Sequence, residues 1–270
     1  MNSISSLVTA SPEAPRTPTA STERLGSRIL ARGGAQHSYS VRLAASLDDV
    51  RAAQTLRFLV FNLELNEGLD ASYHTCRDED PFDSVCDHLL VESGNEVVGT
   101  YRLQTGRNAS DRLGYYSEQE FDFAPFEPMR GEMVELGRAC VAREHRNLIV
   151  LGLLWRGIAH YARERHCRYL IGCGSLTSQN EAEGAALLAD LSRKHLASPG
   201  WQTAPLPAFA CSLATRSERS PKLPKLLSAY LSLGAKICGQ PAIDRDFKTI
   251  DFLTLLDLET LPASAARLIG

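Results

Sequence analysis

"EMVELGRACV" (residues 132–141) reads as a buried strand that carries two charges, Glu135 and Arg138, three positions apart. In a strict strand Met133, Glu135, Gly137 and Ala139 share one face, and Val134, Leu136, Arg138 and Cys140 share the other. The two charges would then point apart. One extra residue at Gly137, where no Cβ resists an irregular backbone, advances the register and brings both side chains to the same side. Bulges of this kind concentrate beside active sites. A structural ion pair is the simpler account of an acid and an arginine this close, so the surrounding sequence has to decide.

The chain has 270 residues, 44% hydrophobic and 23% charged, enough to bury a substantial core. A net charge of -3 without any dense run of Lys or Arg gives no basis for nucleic-acid binding. Seven cysteines without a CxxC pair fit reduced thiols in a cytoplasmic protein better than a disulfide framework or a zinc site. No metal is expected. Residues 1–40 are rich in Ser, Thr, Pro, Ala and Gly and read as a disordered tail, leaving 41–270 as one domain. The longest apolar run, "LIVLGLLW" (148–155), is far shorter than the ~20 residues that span a bilayer. The protein is therefore expected to be soluble or peripheral on a membrane.

Within the domain, "YSVRLAAS" (39–46) reads as a strand and "DDVRAAQTLRFLVFNLEL" (48–65) as a helix, with Val50, Ala53, Leu56, Val60 and Leu63 on one stripe. Arg57 and Phe61, four apart, share a neighbouring face. A long acidic loop, 66–87, precedes two strands joined at Gly94-Asn95, a strong hairpin signal. After residues 132–141 come a helix (148–167), a strand (168–176), a helix (180–197), a further helix within 221–239 and a last strand (247–258). The order implies an α/β fold, a mixed sheet flanked by helices.

Several blocks in this order resemble one family: "LRFLVFNLE", "DEDPFDSVCDHLLV", "VVGTYRL", "YYSEQEFDF", "VELGRACV", "LLWRGIAHYA", "LIGCGSL" and "LPKLLSAYLSLGAKICGQPAIDRDF". From about residue 41 to 258 the chain resembles the GNAT acyltransferases and, within them, the hemolysin-like ornithine-lipid N-acyltransferases. It is similar, more weakly, to acyl-homoserine-lactone autoinducer synthases and N-acyl amino acid synthases. The shared elements are Arg57 with Val60 and Phe61, Asp80 with Phe82 and Asp83, Gly99 with Arg102 and Leu103, and Glu135 with Arg138. The resemblance implies a GNAT-like fold and transfer of a 3-hydroxy fatty acyl group from the phosphopantetheine thioester of an acyl carrier protein to the α-amine of ornithine. No bound cofactor is implied. An autoinducer synthase, an N-acyl amino acid synthase with another acceptor, and a non-catalytic carrier- or lipid-binding module are the alternatives.

Aminolysis of a thioester needs a neutral amine and hence a base, for which Glu135 is the candidate. Burial raises the pKa of such a carboxylate and a nearby arginine lowers it. Arg102 and Arg138 are candidates to hold Glu135 or an acceptor carboxylate. Gly137 is expected to supply the irregular strand whose N–H groups meet the thioester oxygen. Arg57, Phe61, Asp80, Asp83, Cys140 and Ser175 complete the expected substrate site, the acidic loop being suited to a cationic acceptor. A solvated acidic loop explains the same carboxylates. The segment "AREHRNLIVLG" (142–152) lacks the glycines of a pyrophosphate cradle. Arg143, Arg146 and Asn147 are instead expected to face the single phosphate of a carrier's pantetheine arm. The amphipathic stretch 221–236 fits either a membrane surface or a packed helix.

Overall fold

Nine strands form one sheet in the computed structural model, which describes residues 29–33 and 38–263. They are β1 (Ile29–Gly33), β2 (Tyr39–Leu43), β3 (Asp87–Ser93), β4 (Glu96–Thr105), β5 (Met133–Val141), β6 (Tyr169–Leu176), β7 (Lys236–Ile237), β8 (Ala242–Asp244) and β9 (Thr249–Asp257). The path runs β1-β2-β3-β4-β5-β6-β9-β7, with β8 also on β9, and only β5 and β6 pair in parallel. The mixed sheet flanked by helices is the expected architecture. Residues 29–33, within the stretch expected to be a tail, instead form β1, which pairs with β2 and packs Leu30 and Ala31 on the core. The remainder of that stretch, 1–28 and 34–37, lies outside the described residues.

The helices are α1 (Leu47–Phe58), α2 (Ser72–Thr75), α3 (Gly106–Ser110), α4 (Leu148–Glu164), α5 (Glu181–Ser192) and α6 (Lys225–Ser232). Ser46 caps α1 through a reciprocal capping box with Asp49. The regular helix expected through residue 65 gives way to a π-helical stretch over Leu59–Glu64. Val60, Phe61 and Asn62 are all buried along it.

α4 covers one face of the sheet. Along β4, Tyr101 and Leu103 join α4 residues such as Leu153, Trp155 and Ile158 in the main apolar core. Arg102 and Gln104, also buried, take the opposite face by alternation. α1 lies on that side, because its Arg57 shares Asp83 with Arg102. The sheet thus sorts an apolar layer from an ionic one. α6 buries Leu227, Tyr230 and Leu231, so the amphipathic stretch is a packed helix here.

β5 and β6 pair only from Met133 opposite Tyr169 to Glu135 opposite Ile171. Gly172 marks the last close approach, since a Cβ there would lie 2.2 Å from the Leu136 carbonyl oxygen. Beyond it the two strands separate.

Candidate active site

A cavity of about 690 Å³ opens where β5 and β6 part. β5 contributes Glu135 to Val141 and β6 contributes Cys173 and Ser175. Apolar walls come from α4 (Leu151, Leu154), α6 (Leu226, Ala229, Tyr230) and the π-helical stretch (Val60, Phe61).

The bulge exists, and it sits one residue later than expected. Thr100 pairs with Cys140 and Arg102 with Gly137, so Arg138 and Ala139 occupy the space of one residue on β4. The left-handed residue is Arg138, with φ 51°. Gly137 keeps its register partner, and a Cβ there would meet nothing within 4 Å. Arg138 and Ala139 therefore lie outside the β4 register, in a part of β5 that β6 no longer pairs. Glu135 and Arg138 consequently both line the cavity.

Glu135 is 6% exposed and pairs with neither arginine. Oε2 accepts from the Tyr116 N–H at 2.7 Å; Oε1 accepts from the Ser117 N–H at 2.8 Å and from the Ser117 hydroxyl. The carboxylate thus pins the turn at Tyr116–Gln119 against β5. Burial pushes its pKa up, while the Ser117 and Tyr116 donors and the Arg102 charge pull it back, and the net direction is upward. A carboxylate oxygen has two lone pairs, so Oε2, with one donor, can still take a proton.

The arginines and aspartates that recur through the sequence close into a ring. Arg57 meets Asp78 at 2.8 Å and Asp83 at 2.7 Å. Arg102 meets Asp83 at 3.0 Å and Asp80 at 2.6 Å. Arg138 meets Asp80 at 3.0 Å and Asp78 at 3.3 Å. Three positive and three negative charges alternate and cancel. Tyr116 stacks on it: its ring centroid lies 5.3 Å from the Arg102 guanidinium carbon and 4.5 Å from that of Arg138. Burial would raise the Asp83 pKa, but Arg57 and Arg102 hold it well below the ordinary carboxylate range. Asp80 is likewise lowered, by Arg102 and Arg138 against its burial.

The ring changes how several expected site residues are placed. Arg57, 1% exposed, ties α1 to the loop and does not line the cavity; nor do Asp80 and Asp83. Asp78, Asp80 and Asp83 are accordingly neither solvated nor free for a cationic acceptor. Of the loop's other acids, Glu79 pairs with Arg77, Asp70 with Lys248 and Asp87 with Tyr161 and Arg165, while Glu67 lines the cavity and accepts from the Thr177 hydroxyl. His88 is a buried histidine bonded to the Asp83 carbonyl, its pKa lowered to about 4 chiefly by burial. Arg102, Arg138, Phe61, Gly137, Cys140 and Ser175 do line the cavity. Cys140 is buried and its thiol is pushed up to about 12, which leaves it protonated and unreactive.

Of the residues expected near a carrier's phosphate, Arg146 and Asn147 line the cavity and Arg143 is exposed outside it. Arg146 pairs with Glu64 and donates to the Val141 carbonyl. Asn147 caps α4, its Oδ1 accepting from the N–H groups of Ile149 and Val150. Asn147→Ala should therefore lower unfolding free energy by about 1 kcal/mol, with Asp tolerated, as read by urea denaturation.

Sequence reasoning missed an acidic group in the same cavity. Glu120, Asp244 and Asp251, all buried, bring one carboxylate oxygen each to within 4.8 Å of one another. Gln104 also lines the cavity, with both amide atoms unpartnered. Glu120 and Asp244 lie inside two of the blocks that carry the family resemblance, and nothing local distinguished them from solvated acids.

Residues 56–156 match the acetyltransferase (GNAT) domain. An L-ornithine N(alpha)-acyltransferase of Brucella abortus (strain 2308) is 35% identical over 252 residues, covering 86% of this chain and 88% of that one. A protein of the same name from Rhodobacter capsulatus is 31% identical, covering 83% and 92%. Among solved structures, FeeM, an N-acyl amino acid synthase from uncultured soil microbes, superposes with a TM-score of 0.52 at 12% identity, over 84% of this chain and 94% of that one. That likeness shows the fold. Together with the parted β5 and β6, these matches place the chain in the family of the L-ornithine N(alpha)-acyltransferases, GNAT-fold enzymes that transfer acyl groups.

Proposed function

We propose that the enzyme transfers a fatty acyl group, 3-hydroxylated in the family it resembles, from an acyl carrier protein thioester to the α-amine of ornithine. The observation that carries this reading is the bulge at Arg138, which puts Glu135 and the peptide groups of Arg138 and Ala139 on a cavity with long apolar walls. The thioester oxygen lies against those peptide N–H groups. Glu135 takes a proton from the ammonium of the acceptor, the freed amine attacks the thioester carbon, and the C–S bond breaks as the amide forms. The departing thiolate takes up the amine's second proton. Arg102 and Arg138, both already paired with aspartates, hold the site's shape and meet the acceptor's carboxylate at its edge.

The start of α4 favours a carrier protein over coenzyme A as donor. Asn147 occupies the N–H groups of Ile149 and Val150, and that of Leu151 returns to the Asn147 carbonyl. Little of that turn is left for a pyrophosphate. Exposed Arg143 and half-exposed Arg146 suit one phosphate and the carrier's acidic surface. No helix among the described residues is long and apolar enough to cross a membrane. Exposed Leu59, Leu63 and Leu148, the last also on the cavity, support peripheral contact with the membrane that receives the product.

Steady-state rates with matched acyl carrier protein and acyl coenzyme A donors test the donor. Specificity for the carrier thioester should be about tenfold or more higher, equivalent to ~1.4 kcal/mol. Equal or better use of the coenzyme A thioester would contradict the reading.

A further inference from the structure

Ornithine brings a second positive charge into the cavity, and of the acidic loop's carboxylates only Glu67, which accepts from the Thr177 hydroxyl, lines that cavity. The Asp78, Asp80 and Asp83 charges are spent in the ring with Arg57, Arg102 and Arg138. The cavity holds a different set. Glu120 comes from the turn after Tyr116–Gln119, Asp244 from the end of β8 and Asp251 from β9. All three line the cavity and are 2%, 6% and 4% exposed.

Carboxylates buried this deeply normally have donors. Asp244 Oδ1 accepts from the N–H groups of Asp246 and Phe247, and Asp251 Oδ2 accepts from the Thr249 hydroxyl at 3.0 Å. Glu120 Oε2 and Asp251 Oδ1 have no hydrogen-bond partner among the described residues. Arg138 is the nearby cation that favours their ionised forms, and it already serves Asp78 and Asp80. A net negative, underbonded cluster therefore faces the space that the acceptor must enter.

We infer that Glu120, Asp244 and Asp251 form the subsite for a primary alkylammonium, the side-chain δ-ammonium of the acceptor, an assignment that builds on ornithine being that acceptor. Three acceptor oxygens match the three N–H donors of an ammonium. Holding the δ-nitrogen there leaves the α-amine to face Glu135 on the same cavity. Burial first, then the neighbouring acids, raise the pKa of Glu120, and burial pushes that of Asp251 up to about 6 although the Ser175 and Thr249 hydroxyls hold it back. A divalent metal would use the same oxygens, but metal-ligating carboxylates are themselves steadied by second hydrogen bonds, and Glu120 Oε2 has none among the described residues.

The test compares ornithine with 2-aminopentanoate, which has the same carbon chain without the terminal amine. The wild-type enzyme should prefer ornithine by about 100-fold or more in kcat/KM, because the neutral chain leaves buried carboxylates unpaired. Glu120→Gln and, separately, Asp251→Asn should each lower that ratio about tenfold or more. Equal use of both amines by the wild-type enzyme, or an unchanged ratio in both variants, would overturn the subsite while leaving acyl transfer standing. Calorimetry keeps the two readings apart if no transfer is seen. Ornithine binding that Glu120→Gln abolishes would uphold the subsite even so. Tight binding of Mg2+ or Ca2+ that requires Glu120, without ornithine binding, would make the trio a metal site and overturn it.

Discussion

Glu135→Gln should lower kcat by about two to four orders of magnitude, the usual worth of a positioned general base. Its side chain keeps the size of glutamate and loses the ability to take a proton. It also loses an acceptor: two backbone N–H groups and a hydroxyl point at the carboxylate oxygens, and the amide nitrogen must face one of them. A stability loss of roughly 1–3 kcal/mol should accompany the kinetic one. Ser117→Ala separates the two effects, because it removes the hydroxyl donor and leaves the charge. If Glu135 is the base, Ser117→Ala should cost far less activity than Glu135→Gln. If the carboxylate only pins the turn, activity in both variants should follow stability, and both should be rescued by conditions that favour folding. Initial rates on the folded fraction, with urea midpoints alongside, decide between them.

Arg57→Ala should give the largest loss of stability, about 3–5 kcal/mol, the cost of removing one partner from a buried ion pair. Asp78 and Asp83 would both be left without their α1 partner in the interior. Ordinary domains are stable by only ~5–15 kcal/mol, so the loss should take a large share of that margin and show as a marked fall in the urea midpoint. Double replacement of Arg57 and Asp83 by apolar residues of similar volume should recover part of the loss, since the orphaned charge goes too. The wild-type protein should show the ring in its acid response. Asp83 has a folded pKa below its unfolded value, so its stabilisation is complete at neutral pH and is lost as pH falls below about 4. Urea midpoints at pH 7 and pH 3 read this directly; a flat profile would mean that the ring contributes nothing net.

The two charges in "EMVELGRACV" were legible as an anomaly because strand alternation is a local rule. The hairpin at Gly94-Asn95 was legible for the same reason, whereas Asn147, expected at a carrier's phosphate, caps α4. The bulge was expected at Gly137 because glycine is the residue that irregular backbone tolerates most cheaply. It falls on Arg138, whose left-handed backbone is held by two aspartates and two aromatic rings. Long-range pairing was not legible. Arg57 looked like a ligand for substrate, and Asp80 and Asp83 looked free, until the fold brought Arg102 and Arg138 to them from β4 and β5. Glu120, Asp244 and Asp251 come from three separated segments, and no spacing rule connects them. β1 escaped notice because its polar flanks hide one short apolar run, Ile29-Leu30-Ala31.

Tandem mass spectrometry of the product tests the central claim most directly, using purified protein, a 3-hydroxyacyl carrier protein and ornithine. With the δ-nitrogen held by the acidic trio and the α-amine facing Glu135, the fragments should place the new amide on the α-nitrogen and leave the δ-amine free. Acylation at the δ-nitrogen, or no amide from a folded enzyme with intact donor, would contradict the account.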